Sequence, residues 1–219
     1  MIGVLGGMGV RATALFYDML LKKQCVEHEQ DFKDVLIYSK SSIPDRTAFI
    51  TGESEVSPLP DLLHGLAVLQ HGGATCIAIP CITSHFFYAD LARVSNVPVL
   101  NMLEETAKHI KASGISKVGL LATVGTIKGQ FFHRALHEHQ VNVLELADED
   151  QARLMHLIYE IKANRLHSAV LPVAFAKGLY EQGAEAIVLG CTELSVVSQD
   201  NTYIDALEIL AQAALSHED

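Results

Sequence analysis

Residues 73–84, GATCIAIPCITS, and residues 183–194, GAEAIVLGCTEL, follow one pattern: Gly-Ala, a short apolar run, then a cysteine with threonine one or two places on. A second pair repeats as well. Residues 2–17, IGVLGGMGVRATALFY, and 118–133, VGLLATVGTIKGQFFH, each run from a β-branched residue and glycine through a glycine-containing turn into a helix-like stretch ending in aromatics. The two pairs are offset by 116 and 110 residues, so the chain reads as a duplication and the fold must be built twice.

Within each half, β-rich runs alternate with stretches of helical spacing. The runs fall at 2–5, 34–39, 76–80 and 97–101, then at 118–122, 141–146, 186–190 and 202–204. Between them, 12–28, 59–73, 148–164 and 169–184 carry apolar residues at helical period. Such alternation predicts an α/β protein of two pseudo-symmetric open parallel sheets, each sandwiched by helices. The expected partition is 1–98 plus 205–219 for one domain and 99–204 for the other. Ligands of open parallel sheets bind beyond the carboxyl ends of the strands, which places the active site in the cleft between the halves.

Composition narrows the function classes. With 49% hydrophobic and 19% charged residues, the 219-residue chain is a folded globular protein. A formal charge of −10 with 16 scattered basic residues argues against nucleic acid, which needs concentrated Lys and Arg. No apolar stretch reaches the ~18 residues of a membrane span, and MIGVLGG lacks the features of a signal peptide, so a cytoplasmic protein is expected. The four cysteines are then expected as free thiols.

Cys81 and Cys191 end corresponding strands of the two halves. If the halves face one another, the two sulfurs converge on one cleft from opposite sides. Moving a proton from one face of a carbon to the other needs a base on one side and an acid on the other, and a thiolate with a thiol supplies both. Nearby amides and the hydroxyls of Thr83 and Thr192 are available to favour the thiolate. Cys76, inside its apolar run, and Cys25, on the first predicted helix, read as packing residues.

Other motifs weigh less. GVLGGMG lacks dinucleotide-loop or P-loop spacing, but a strand–glycine–helix turn presents amides to a carboxylate, or is a tight turn only. Arg46, in SIPDRTAFI (42–50), and Lys162, in YEIKANR (159–165), are candidate carboxylate ligands or solvated surface groups. HRALHEH (133–139) puts His133 and His137 on one helix face, but the H-E-x-x-H order is absent and no third ligand is evident, so an exposed face is expected and no metal. A G-x-S-x-G elbow is missing too.

These segments resemble the aspartate/glutamate racemase superfamily, on its aspartate racemase branch. The resemblance runs almost end to end, through GVLGGMG with the following AT and FY, IPDRT, PCITSH for the family's P-C-N-T-A-H, LLATVGTI, IKANR and GCTEL. It implies a cofactor-independent enzyme, built as a homodimer of two-domain subunits, that acts on a small acidic amino acid. It also implies that Cys81 and Cys191 are the proton carriers. Arg46 and Lys162 would bind the substrate's side-chain carboxylate, and Met8, Thr47, Thr83, Ser84, Thr126 and Thr192 would line the pocket. Glu193 matches the branch's G-C-T-E motif, where glutamate racemases usually carry histidine.

Two positions depart from the pattern. Ile82 stands where the family has Asn, which leaves only a backbone N–H for the substrate and removes a bond worth about 1.5–3 kcal/mol. Arg11 reverses a charge beside the glycine turn, where the family usually reads Pro-Glu. The catalytic pair is therefore expected to persist with altered substrate preference. The alternatives are a small-acid-binding protein on the same scaffold, or a related isomerase such as a maleate isomerase. Related decarboxylases need only one of the two cysteines, so retention of both favours racemisation or isomerisation.

Overall fold

The computed structural model describes residues 1–165, 171, 173–198 and 202–217. Its first sheet holds β1 (Ile2–Gly6), β2 (Val35–Ser39) and β3 (Cys76–Ala78) in the order β2-β1-β3. The second holds β4 (Lys117–Ala122), β5 (Asn142–Leu144), β6 (Ala186–Gly190) and β7 (Ile204–Asp205) in the order β5-β4-β6-β7. Every pairing is parallel. In both sheets the first strand of the half is central, the second flanks one side and the third the other, which is the duplication expressed as topology.

The helices are α1 (Val10–Lys22), α2 (Arg46–Thr51), α3 (Leu59–His71), α4 (Tyr88–Val94) and α5 (Met102–Ala112) in the first stretch of chain. Then come α6 (Val124–Gly129), α7 (Phe131–Glu138), α8 (Asp148–Lys162), α9 (Val173–Glu181), α10 (Thr192–Val197) and α11 (Ala206–Ser216). Their starts are chemically marked. Asn101 accepts from the Leu103 and Glu104 amides, Asp45 from Ala48, Thr123 from Thr126 and Asp205 from Leu207, each filling an otherwise orphaned helix donor.

The interior strands β1 and β6 are buried along their whole length, as expected of strands covered on both faces. Helix α11 returns from the second sheet to pack on α1 and α5. One core cluster consequently runs through both halves, joining Phe16 and Leu20 of α1 to Val118 and Leu120 of β4 and Leu210 of α11. Separate clusters lie under α3 and under α8 and α9.

Local departures from the sequence reading have identifiable causes. The run at 97–101 makes only a single bridge, Ile77 to Val99, since Pro98 offers a carbonyl but no N–H to a longer ladder. Helix α1 stops at Lys22, not residue 28, because the Gln24 side chain turns back to the Leu20 carbonyl and also accepts from the Lys33 amide. Cys25 is therefore past the helix and exposed, not packed. Of the helix expected at 169–184, residues 169, 170 and 172 lie outside the described residues, and the described helix spans Val173–Glu181.

Candidate active site

The carboxyl end of β1 opens into Gly7, Met8 and Gly9. Thr13, one turn into α1, accepts from the Gly7 amide at 2.9 Å and donates to the Gly9 carbonyl at 2.7 Å, closing the turn. The Met8 sulfur accepts from the Ser84 hydroxyl at 3.2 Å, so the loop after β1 is held by the loop after β3. Beyond β2, Arg46 is buried at the start of α2. Its Nη1 donates to the carbonyls of Ile43 (3.1 Å) and Pro44 (2.8 Å), and Nη2 makes a long 3.5 Å contact with the Met8 carbonyl. Nε has no hydrogen-bond partner among the described residues, which leaves one edge of the guanidinium unspent.

After β3 the chain turns sharply at Pro80, with the Cys81 amide donating to the Ile79 carbonyl at 2.7 Å. A helical turn over Ile82–Phe87 follows. His85 Nδ1 donates to the Cys81 carbonyl at 2.9 Å, and Nε2 accepts from the Met102 amide at 3.2 Å. That pair of contacts assigns a neutral imidazole, and burial holds the His85 pKa below its ordinary value. Thr83 meets Thr123 at 3.1 Å and Thr126 at 3.4 Å, and Thr123 meets Thr126 at 3.1 Å: a buried hydroxyl triangle spanning both halves. Nearby, α2 and α6 pack so closely that a Cβ on Gly125 would lie 2.9 Å from the Thr47 backbone.

After β6 come Cys191, Thr192 and Glu193. The Thr192 hydroxyl donates to the Pro80 carbonyl at 3.2 Å, joining the two cysteine-bearing turns across the halves. The sequence left both threonine hydroxyls available to the thiols, but Thr192 bonds Pro80 and Thr83 bonds its fellow threonines. The thiol contact belongs to Glu193, whose Oε2 accepts from Cys191 Sγ at 3.1 Å. Its Oε1 has no partner among the described residues and lies 2.6 Å from where a Cβ on Gly9 would be.

Lys162, at the end of α8, ties these parts together electrostatically. Burial works against its charge, but Glu193 and the sulfurs of Cys191 and Cys81 outweigh that and Arg46, and its pKa is raised. The ammonium also lies 5.9 Å from the Tyr159 ring centroid. Cys191 is pushed well above the ordinary thiol range, by burial first and then by the Glu193 carboxylate, with Lys162 pulling the other way.

A cavity of about 230 Å³ is lined by the glycine turn, Ile43, Asp45, Arg46 and Lys162. Neither Cys81 nor Cys191 lines it; each thiol-bearing residue is buried, at 4% exposure. Larger cavities exist elsewhere, including one of about 680 Å³ between α5 and α11, but it contains neither Arg46 nor Lys162.

Of the residues singled out from sequence, Met8, Arg46, Thr47, Cys81, Thr83, Ser84, Thr126, Lys162, Cys191, Thr192 and Glu193 come together at this end of the two sheets. Ile82 faces away: its side chain is 1% exposed and belongs to the core cluster with Phe16 and Met102. Thr13, His85 and Thr123 contribute without having been singled out. His85 sits four residues after Cys81, and Thr123 three before Thr126, spacings that suit a turn bond and a helix cap.

Among the described residues no three His, Cys, Asp or Glu side chains gather to hold a metal ion. His137 is exposed as expected, but His133 is largely buried, with Nε2 2.8 Å from Glu145 on the neighbouring strand segment. No described helix is long and apolar enough to cross a membrane.

The Asp/Glu/hydantoin racemase family model matches residues 5–214 of the chain. The broad specificity amino-acid racemase RacX of Bacillus subtilis is 28% identical over 228 aligned residues, covering 99% of this chain and 97% of its own length. The aspartate racemase of Picrophilus torridus has a similar structure, with a TM-score of 0.85 at 28% identity over 98% of this chain and 92% of its own. For an aspartate racemase homologue from Pyrococcus horikoshii the TM-score is 0.73 at 25% identity, over 98% and 96%.

Proposed function

Because the chain belongs to the Asp/Glu/hydantoin racemase family and is an amino-acid racemase, we propose that it inverts an acidic amino acid, aspartate or glutamate, using Cys81 and Cys191 and no PLP. One thiolate removes the α-hydrogen, and the opposite thiol delivers a proton to the other face of the carbon. The C–H electron pair passes through a carbanion that the α-carboxylate delocalises, and the two sulfurs end with their protonation states exchanged. The unspent Nε edge of Arg46 and the Lys162 ammonium supply the charge for the side-chain carboxylate.

The observation that carries this reading is the Thr192–Pro80 hydrogen bond. It fastens the residue after Cys191 to the residue before Cys81, while Lys162 feels both sulfurs at once. The reading takes residues 1–98 with 205–219 as one half of the site's scaffold and 99–204 as the other, in keeping with α11 packing back on α1. It also includes a homodimer and a cytoplasmic location, tested by light scattering and by cell fractionation.

The test is α-hydrogen exchange in deuterated water, followed by proton NMR across acidic amino acids and dicarboxylates. Exchange is expected with at least one of them, and Cys81→Ala or Cys191→Ala should abolish it. A panel that shows no exchange at high enzyme concentration defeats the reading. Thermal stabilisation by a panel member without exchange would make the protein a small-acid binder instead.

A further inference from the structure

We propose that Glu193 sets the resting proton arrangement of the cysteine pair, holding Cys191 as the thiol and leaving Cys81 as the base that begins each turnover. The inference rests on the two-thiol reading above and adds a direction to it.

The two halves are pseudo-symmetric, but their cysteine turns differ two residues on. Thr83 follows Cys81 and Glu193 follows Cys191. The Thr83 hydroxyl is neutral and engaged with Thr123 and Thr126. Glu193 instead presents a carboxylate oxygen 3.1 Å from Cys191 Sγ. An ionised carboxylate only accepts hydrogen bonds, so this contact needs a proton on the sulfur. The other charged group acting on the pair is Lys162 on α8, which in turn feels Arg46 on α2 and Cys81. The second oxygen of Glu193 is buried beside Gly9, in space that any side chain at that position would take. The burial and carboxylate effects already described for the Cys191 thiol act in the same direction.

In one turnover Cys81 takes the α-hydrogen as a proton and Cys191 gives up its own. The enzyme is left with a Cys81 thiol and a Cys191 thiolate beside the Glu193 carboxylate. Two like charges in contact disfavour that form, so the free enzyme returns to the starting arrangement by losing a proton from Cys81 and gaining one at Cys191. The enantiomer whose α-hydrogen faces Cys81 therefore meets the prevailing form. Racemisation has an equilibrium constant of one, which forces kcat/KM to be equal for the two enantiomers. The asymmetry must show as a lower KM and a proportionally lower kcat for one of them.

The experiment measures the alkylation rate of each cysteine by iodoacetamide between pH 6 and 10, resolved by peptide mass spectrometry on the full chain. Exposed Cys25 is the internal standard. In the unaltered protein the rate for Cys81 should rise at lower pH than that for Cys191, with at least a tenfold difference at pH 7. Glu193→Gln should move the Cys191 inflection down and raise its rate at pH 7 at least tenfold, and Glu193→Asp should keep most of the original order. A change of access alone would shift the rate at every pH and leave the inflection in place. An unmoved inflection in Glu193→Gln, or Cys191 titrating below Cys81 in the unaltered protein, overturns the proposal. Labelling needs no substrate, so the two readings fail separately. The predicted order without α-hydrogen exchange sinks the racemase reading alone, and exchange without the order sinks only the role of Glu193. With an active enzyme, Glu193→Gln should also bring the two KM values together.

Discussion

Thr192 and Pro80 lie 112 residues apart in sequence, yet the threonine hydroxyl donates to the proline carbonyl at 3.2 Å inside the protein. Both residues are buried, so this carbonyl depends on that donor. Thr192→Val keeps the shape and removes the hydroxyl. It should cost about 1–3 kcal/mol through the unpaired carbonyl. At roughly 2–4 °C per kcal/mol for a chain of this size, the loss is readable as a drop in melting midpoint. Thr192→Ser should retain most of the stability. A valine variant that melts with the unaltered protein would mean the bond contributes nothing to joining the halves.

Three glycines should respond differently to alanine, because different atoms occupy the space beside them. At Gly125 the new Cβ would lie 2.9 Å from the Thr47 backbone, which cannot swing aside, so α2 and α6 must part and stability falls. At Gly9 it would lie 2.6 Å from Glu193 Oε1, the end of a side chain. Gly9→Ala should therefore perturb the Cys191 contact more than the melting midpoint. At Gly178, inside α9, nothing lies within 4 Å, and alanine should stabilise by about 0.5–1 kcal/mol. Thermal melts of the three variants check the order, and equal losses at Gly125 and Gly178 would contradict it.

The duplicated architecture was legible because its signals are local: apolar runs of strand length, glycine turns after them, and helical spacing between. Those same signals placed Cys81 and Cys191 at corresponding strand ends. What the sequence hid depends on contacts far along the chain. Whether residue 82 faces a cleft or the core is decided by α5, which packs against its turn, and by the core cluster it joins, and nothing local to PCITSH reveals that. Local pattern likewise offered the Thr83 and Thr192 hydroxyls to the thiols, where cross-half partners claim them. Helix α1 ended early through a side chain, Gln24, that propensity alone would have kept helical.

Ile82→Asn separates packing from recognition. At 1% exposure among core residues, isoleucine contributes burial that an amide would lose, and the amide would need partners that the cluster does not offer. Stability should fall by at least about 2 kcal/mol. Because the side chain faces the core and not the site, the molecules that still fold should turn over aspartate or glutamate no faster, measured well below the melting midpoint, against the gain expected from the sequence. A variant as stable as the original would show that an amide finds room and partners there. A folded variant with faster turnover would show that the side chain at position 82 reaches the substrate after all.

His85 makes stability depend on pH in a direction its contacts determine. Nε2 accepts from the Met102 amide, so a proton arriving there turns an acceptor into a donor facing another donor. Burial, the larger influence, lowers the pKa below 6.5, against the pull of the Cys81, Leu100 and Ile82 carbonyls. The unfolded chain, titrating near 6.5, then binds the proton more readily than the folded one. Stability is full above that pH and declines as pH falls toward the folded pKa. His133 adds the same sign, lowered by burial against Glu145. Urea titrations from pH 7.5 to 5.5 should show declining unfolding free energy, with a flatter slope in His85→Gln and, independently, in His133→Gln. The His85 variant should also start lower at pH 7.5, since the contacts at the Cys81 carbonyl and the Met102 amide are disturbed. Identical slopes in all three proteins would mean that neither imidazole resists protonation, and that the tautomer assigned between Cys81 and Met102 is wrong.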